Sequence, residues 1–344
     1  MLPARVFVTA ASASSTPWFG RLRRLASVAI SIVFVVLTLA RVDVAGAASS
    51  LGRVAPLGLV IAIGLTGLEL VLRAERWRRI LLPFAPVGHR SALAYLSIGY
   101  FANTLLPARL GDVARAVLAG KAFGVPRLRI LGTILLERVA DGLVILAIVT
   151  VLALALPEAR PLLETARLIA LIGAGGALIL ALAILVTHRT AMAATRVAGL
   201  ARDVIARLAE GLEALRRPTG VAVFVALTVV AFLLAAAALL VVADALGIAL
   251  SPQQGVLVMG ALALSTAIPA APGSIGTYEF VGLTTLTGLG VAPEPAIALV
   301  VLVHLVATLP PALIGLATTA VLHLRVVDLA RSGETALPEV PAAR

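Results

Sequence analysis

The sequence predicts an all-α polytopic membrane protein, and two observations carry this prediction. Apolar residues make up 61% of the 344 residues, and the mean hydropathy is +1.09, whereas soluble domains are about 45–50% apolar. The apolar residues form long continuous runs that do not alternate with a period of two, so the spans are helices rather than barrel strands. We predict about six full spans and two re-entrant, or broken, helical hairpins that together form an inverted repeat.

The net charge of +11 indicates membrane orientation rather than a nucleic-acid surface. Arginines cluster in the gaps between apolar runs, which fits the positive-inside rule and attraction to anionic lipid headgroups. We therefore expect membrane lipids as partners and no nucleic acid. The chain has no cysteine, and its four histidines show no metal-ligand spacing, so we predict no metal site and no cofactor.

The first part of the chain begins with a basic segment, residues 1–24, which we place in the cytoplasm. The apolar run 25–40 is either a signal peptide or an uncleaved first span. The second interpretation is favoured because a protein with many spans needs no removable signal. The second span, 56–72, ends in the arginine-rich stretch 73–79, which predicts a cytoplasmic end with Trp77 as an interfacial anchor.

The stretch 91–106 has basic residues on both flanks, so both of its ends should be cytoplasmic. A simple span would place one flank outside. We therefore predict a hairpin that enters from the cytoplasm, turns near 107–111 and returns through 113–119. A turn at membrane depth is tolerated only where protein or a water-filled cavity covers it.

Three further segments lead to the second half of the chain. Residues 130–156 should span outward and 167–187 should return. Residues 188–217 carry arginines alternating with apolar residues at helical spacing, which predicts an amphipathic helix on the cytoplasmic surface. Residues 220–243 then span outward again.

The segment 256–290 mirrors the first hairpin, because prolines and glycines interrupt it between positions 269 and 276. Residues 296–322 make the last span, and 324–344 form a disordered cytoplasmic tail. The halves 57–156 and 220–322 each contain span, hairpin and span in opposite orientation. This is the organisation of inverted-repeat transporters.

Charged residues at membrane depth are costly and tend to be paired or functional. The substrate-binding candidates of the first half are Asn103, Arg109, Asp112, Arg115, Glu137, Arg138 and Asp141. Arg109 lies in the predicted turn of the first hairpin, and its guanidinium is suited to hold a phosphate through two parallel N–H···O hydrogen bonds. Asp112 and Arg115 should share a helix face, as should Arg138 and Asp141. The alternatives are topology charges at a loop and a structural salt bridge within the membrane.

The candidates of the second half are Gly273, Gly276, Tyr278 and Glu279. Unwound backbone at the two glycines offers N–H groups to an anion. A buried Glu279 needs an arginine partner, and we expect Arg109 or Arg138 across the interface of the halves, with Arg109 and Glu279 meeting near the midplane. The alternative is a plain loop with an interfacial tyrosine and a solvated glutamate. His304, at mid-span, is expected to be a packed polar residue rather than a ligand.

Five motifs occur in order along the chain: RWRRILL (76–82), NTLLPARLGDVAR (103–115), LLERVAD (135–141), LAEGLEALRRP (208–218) and PAAPGSIGTYE (269–279). Together they resemble the lysylphosphatidylglycerol synthase transmembrane-region family, whose members are also called flippase-like domain proteins. Asp112 stands where the family often has glutamate. The resemblance spans about residues 20–325, so we predict a flippase-like transmembrane domain over 25–323.

The resemblance implies lipid translocation or the handling of lipid-linked substrates. The synthase carries a soluble aminoacyl-transferase domain after its membrane region, and this sequence ends soon after its last span, so lysyl transfer is not expected. The leading hypothesis is a flippase for a phospholipid or polyprenyl-linked headgroup in the cell membrane, the inner or plasma membrane, with both termini cytoplasmic. One alternative is a membrane transferase with Asp112 or Glu279 as general base. Another is a scaffold for a transferase partner that binds the 188–217 helix.

Overall fold

The computed structural model describes residues 17–52, 54–106, 109–155, 218–266 and 271–324. Every regular element in these ranges is helical, and the α-helices are labelled α1 to α10 in chain order. Their bounds are α1 Pro17–Leu39, α2 Val44–Leu51, α3 Pro56–Leu81, α4 His89–Leu105, α5 Leu110–Phe123, α6 Arg127–Ala155, α7 Pro218–Ala245, α8 Pro252–Ser265, α9 Thr277–Gly288 and α10 Pro293–Val321. A short 3-10 turn, Pro272–Ser274, lies between α8 and α9.

Three of the described helices, α3, α7 and α10, are long and apolar enough to cross a membrane. They match three of the predicted spans and confirm a multi-pass membrane protein. Helix α1 covers nearly all of the predicted first span at 25–40. Its part from Val28 meets α2 at 85°, and the two together make at most one more crossing. Helix α6 occupies the predicted span at 130–156.

Several predicted segments lie outside the described residues. These are the span at 167–187, the amphipathic helix at 188–217 and most of both terminal segments. The six spans, the cytoplasmic helix and the disordered tail therefore stay predictions.

Both predicted interruptions occur. Helix α4 ends at Leu105 and α5 begins at Leu110, and the two helices lie against each other. Helices α8 and α9 are separated by the 3-10 turn and also lie against each other. The backbone of Arg109 in the first break has a positive φ of 56°. Gly273 and Gly276 in the second break also have positive φ values, 70° and 92°.

Helix α4 is held closely by its neighbours on two sides. Gly111 of α5 lies against the α4 backbone at Gly99 and Asn103. Gly315 of α10 lies against the Ser97 carbonyl of the same helix. A Cβ atom at either glycine would overlap that backbone, so these glycines set the distance between helices.

Helix α1 lies against the second break. The backbone N–H of Ala271 donates to the Ser31 hydroxyl at 2.8 Å, and Gly276 faces the Ser31 carbonyl. Phe34 adds a ring contact with Phe280 at 5.0 Å between centroids. The first helix therefore supports the backbone of the second broken segment.

Candidate functional site

A network of buried charges joins α3, α5 and α6. Arg76 lies at its centre and is 2% exposed. It pairs with Asp141 and Glu137 of α6 and donates to the Thr228 hydroxyl of α7 at 2.8 Å. Arg73, one turn earlier, pairs with Glu69 at 2.6 Å and with Asp141 at 3.3 Å.

The cytoplasmic location of the stretch 73–79 stays a prediction, but Arg76 and Trp77 are buried inside the protein, so Trp77 is not the predicted interfacial anchor. Trp77 is fully buried, and its indole N–H donates to Thr133 at 3.1 Å. The physical reason is that helix α3 continues to Leu81, beyond the predicted end of the membrane span at residue 72. The added turns bring one side of this stretch into the core.

Arg115 and Glu137 form the most deeply buried pair. An Arg115 terminal nitrogen lies 3.0 Å from a Glu137 oxygen, with both side chains at most 5% exposed. The Arg115 guanidinium also lies over the Trp77 ring, 3.7 Å from its centroid. Glu137 is therefore the counter-charge of Arg115, and its other oxygen pairs with Arg76.

Asp112 pairs with Arg138, not with Arg115. Two Arg138 nitrogens reach the two Asp112 oxygens at 3.2 and 3.0 Å, which is the bidentate geometry of strong arginine–carboxylate pairs. The Asn103 amide donates to the same carboxylate at 3.4 Å. Asp112 and Arg115 were expected to share a helix face, as were Arg138 and Asp141, but the ion-pair partners of all four residues lie on other helices.

Arg109 has a different environment. Its Nε donates to the Thr266 carbonyl at the end of α8, at 2.9 Å, so it joins the first break to the second. No carboxylate in the described ranges forms an ion pair with it. The predicted approach of Arg109 to Glu279 is therefore wrong: Arg109 contacts the backbone of the second broken segment, and Glu279 has another partner.

That partner is His304 of α10. Its Nδ1 lies 2.6 Å from a Glu279 oxygen, and its Nε2 lies 2.9 Å from the Gly273 carbonyl. The second Glu279 oxygen accepts the Gly276 N–H at 2.6 Å. Tyr278 stacks on the His304 ring with centroids 4.3 Å apart. The expectation of an arginine partner for Glu279 is wrong, whereas the hydrogen-bonded and partly buried His304 agrees with the expected packed polar residue.

Tyr278 is buried rather than interfacial, with 5% exposure. Its hydroxyl has no hydrogen-bond partner among the described residues. Gly276 uses its N–H for Glu279, so that group is not open to an anion. Gly273 contributes its carbonyl instead, as the acceptor for His304.

The positive and negative charges of the buried network on α3, α5 and α6 nearly cancel. Within the part of the chain that the structure describes, Arg73, Arg76, Arg115 and Arg138 face the carboxylates of Glu69, Asp112, Glu137 and Asp141. Arg109 adds one positive charge that these carboxylates do not pair. The network therefore holds its helices together and leaves one cation beside the break.

Sequence reasoning missed Glu69, Arg73, Arg76 and Thr228. A signal was present, since Glu69, Arg73 and Arg76 follow one another at helical spacing and share a face when α3 continues past residue 72. The His304 partnership had no such signal, because 25 residues separate it from Glu279.

Buried charges on broken and continuous helices define a polytopic helical membrane protein with an ionic core. The sequence model of a protein family, described as the lysylphosphatidylglycerol synthase TM region, matches residues 24–315 of this chain. The chain belongs to this family, as the motifs predicted, and the family points to a membrane function related to lipids. A search of curated proteins gave no match.

Proposed function

We propose that the protein is a flippase-like lipid transporter that moves the phosphate-bearing headgroup of a phospholipid or polyprenyl-linked lipid across the cell membrane. The observation that carries the proposal is Arg109. It is a partly exposed cation beside two helix breaks, and no described carboxylate pairs with it. A guanidinium at such a place is suited to a phosphate, because its planar fork matches two phosphate oxygens.

The neighbouring charges favour an anion that also carries a polar or cationic group. Asp112 and Arg138 lie close enough to act electrostatically on Arg109. Asn103 holds Asp112, and its own carbonyl oxygen is buried without a partner in the described ranges. In this proposal Arg109 receives the phosphate first, and Arg138 and Asp112 exchange partners with the headgroup. Arg115 and Glu137 are too deeply buried for direct contact and fix the helices.

The proposal includes an inverted repeat that relates α3–α6 to α7–α10, and the helix contacts support it. In such a repeat α7, α8, α9 and α10 correspond to α3, α4, α5 and α6. The contact of α4 with α10 then corresponds to that of α8 with α6, and the contact of α3 with α10 corresponds to that of α7 with α6. All four contacts occur. The contacts within the halves correspond as well, α5 on α6 with α9 on α10. Helices α3 and α7 lie against each other, as elements beside a pseudo-two-fold axis would.

The transferase alternative has less support from the same residues. Asp112 is engaged by two nitrogens of Arg138 and by Asn103. Glu279 is engaged by His304 and Gly276. A general base needs a free lone pair directed at the substrate, and each oxygen of both carboxylates already has a partner within the protein.

The test is translocation of a headgroup-labelled phospholipid in liposomes that contain the purified protein. We expect movement with the wild type and at least about a tenfold loss with Arg109→Ala, because the lost contact is a charge-assisted hydrogen bond. Arg109→Gly should lose as much, since glycine accepts the left-handed backbone without strain. The control is Arg79→Ala, whose side chain is 52% exposed.

Translocation that survives both Arg109 variants would contradict the proposed site. A loss with alanine but not with glycine would assign the effect to the backbone rather than to the guanidinium.

A further inference from the structure

The hydrogen bonds of His304 determine how many protons it shares with Glu279. Nε2 faces the Gly273 carbonyl, which only accepts, so Nε2 carries a hydrogen. Nδ1 faces a carboxylate oxygen at 2.6 Å, so one proton must lie between these two atoms. The pair is then either imidazolium with carboxylate or neutral imidazole with carboxylic acid. Both forms carry zero net charge.

Removing the shared proton breaks this arrangement. The Glu279 carboxylate would face the lone pair of Nδ1, and the two atoms would repel. If the imidazole moved its remaining hydrogen to Nδ1, Nε2 would lose its bond to Gly273. A net negative charge would also be left on a pair whose side chains are 13% and 17% exposed.

We infer that the Glu279–His304 pair is a proton-binding site that couples proton transfer to the release of residues 273–276 in the second break. The pair bonds to the backbone at two points of the break, the Gly273 carbonyl and the Gly276 N–H. With the proton bound, both bonds form and the break is held. When the proton leaves to water, one contact is lost and the break is released. This inference rests on the proposed function, to which it adds protons as a driving force.

Apart from Tyr278, the charged and titratable groups around the pair make their contacts elsewhere. Tyr278 of α9 stacks on the imidazole, and Glu69 of α3 acts electrostatically on Tyr278. Arg41, before α2, lies over the Phe280 ring rather than on the pair. Among the described residues of α2, α3, α4 and α7, which also lie against α10, none forms a hydrogen bond or ion pair with Glu279 or His304.

Glu279→Gln is the variant that tests the shared proton separately from the hydrogen bonds. Its amide oxygen still accepts the Gly276 N–H, and its amide nitrogen donates to Nδ1 of neutral His304. The variant therefore keeps the hydrogen bonds of the protonated pair but has no proton to release. Asp244→Asn is the matched control, since Asp244 is an exposed carboxylate at the end of α7.

The first measurement is the thermal unfolding midpoint of the full chain in detergent, from about pH 6 to about pH 10. The sign follows from the stabilising proton, whose contribution is present at low pH and is lost as pH rises. We expect the wild-type midpoint to fall by about 3 °C or more, Asp244→Asn to fall equally and Glu279→Gln to show no such fall. A flat wild-type profile, or equal falls in wild type and Glu279→Gln, would overturn the proton site.

The second measurement is movement of labelled phospholipid in liposomes with an imposed pH gradient. We expect the wild type to build a lipid asymmetry of up to about tenfold per pH unit for each coupled proton, and Glu279→Gln to ignore the gradient. Equal responses of both proteins, or movement by the wild type that ignores the gradient, would overturn the coupling. Absence of lipid movement in every protein would instead overturn the proposed function, and the unfolding profiles still decide the proton site.

Discussion

Glu137 lies between two buried arginines, and its replacement by glutamine is a direct perturbation of the ionic core. One oxygen faces Arg115 at 3.0 Å and the other faces Arg76 at 3.3 Å. Glutamine keeps the shape but removes the charge. Removing one partner of a buried pair costs about 3–5 kcal/mol. Arg76 keeps Asp141 as a partner, whereas Arg115 has no other ion pair in the described ranges, so most of this cost arises at Arg115.

The assay is thermal unfolding in detergent, followed by circular dichroism. We expect Glu137→Gln to lower the free energy of unfolding by about 3–5 kcal/mol. Adding Arg115→Met should restore part of the loss, because it removes the charge left unpaired. Glu75→Gln is the less buried comparison, since its partners Arg78, Arg79 and His89 have side chains that are 18%, 52% and 70% exposed, and exposed pairs contribute about 0–1 kcal/mol each. Equal losses for Glu137→Gln and Glu75→Gln, or no recovery in the double variant, would refute the reasoning.

Two further predictions concern helix packing. Gly315→Leu should lower the unfolding midpoint strongly or prevent folding, because the leucine side chain would overlap the Ser97 carbonyl. Gly67→Leu is the control and should be tolerated, because the space at its Cβ position is open. Similar effects of the two substitutions would contradict the close contact at Gly315. Ser31→Ala should lower the free energy of unfolding by about 1 kcal/mol, because the Ala271 N–H loses its acceptor; a neutral effect in denaturant unfolding would show that the first helix does not support the second break.

The helices and breaks could be predicted from the sequence because their signals are local. Long apolar runs predicted α3, α7 and α10, and prolines with glycines predicted the break before α9. The membrane span was predicted to end at residue 72, and helix α3 continues beyond it to Leu81. The burial of Arg76 in this stretch was not predicted, because a charge count cannot show which side of a helix faces other charges.

The candidate residues were predicted better than their partners. Arg109, Asp112, Arg115, Glu137 and Arg138 do lie together, but their pairing follows from helix packing, which spacing along one helix does not determine. The same holds for Glu279, for which an arginine was expected and His304 was found. Charge arguments indicated that a partner was needed, and only the tertiary structure identified it.

The central claim is that Arg109 binds a lipid phosphate. Its most direct test is native mass spectrometry of the purified protein with phosphatidylglycerol, and with diacylglycerol as a lipid that lacks the phosphate. We predict that Arg109→Gly retains about tenfold less phosphatidylglycerol than the wild type and the same amount of diacylglycerol, and that Arg79→Gly matches the wild type. Equal retention of phosphatidylglycerol by Arg109→Gly and the wild type would contradict the claim.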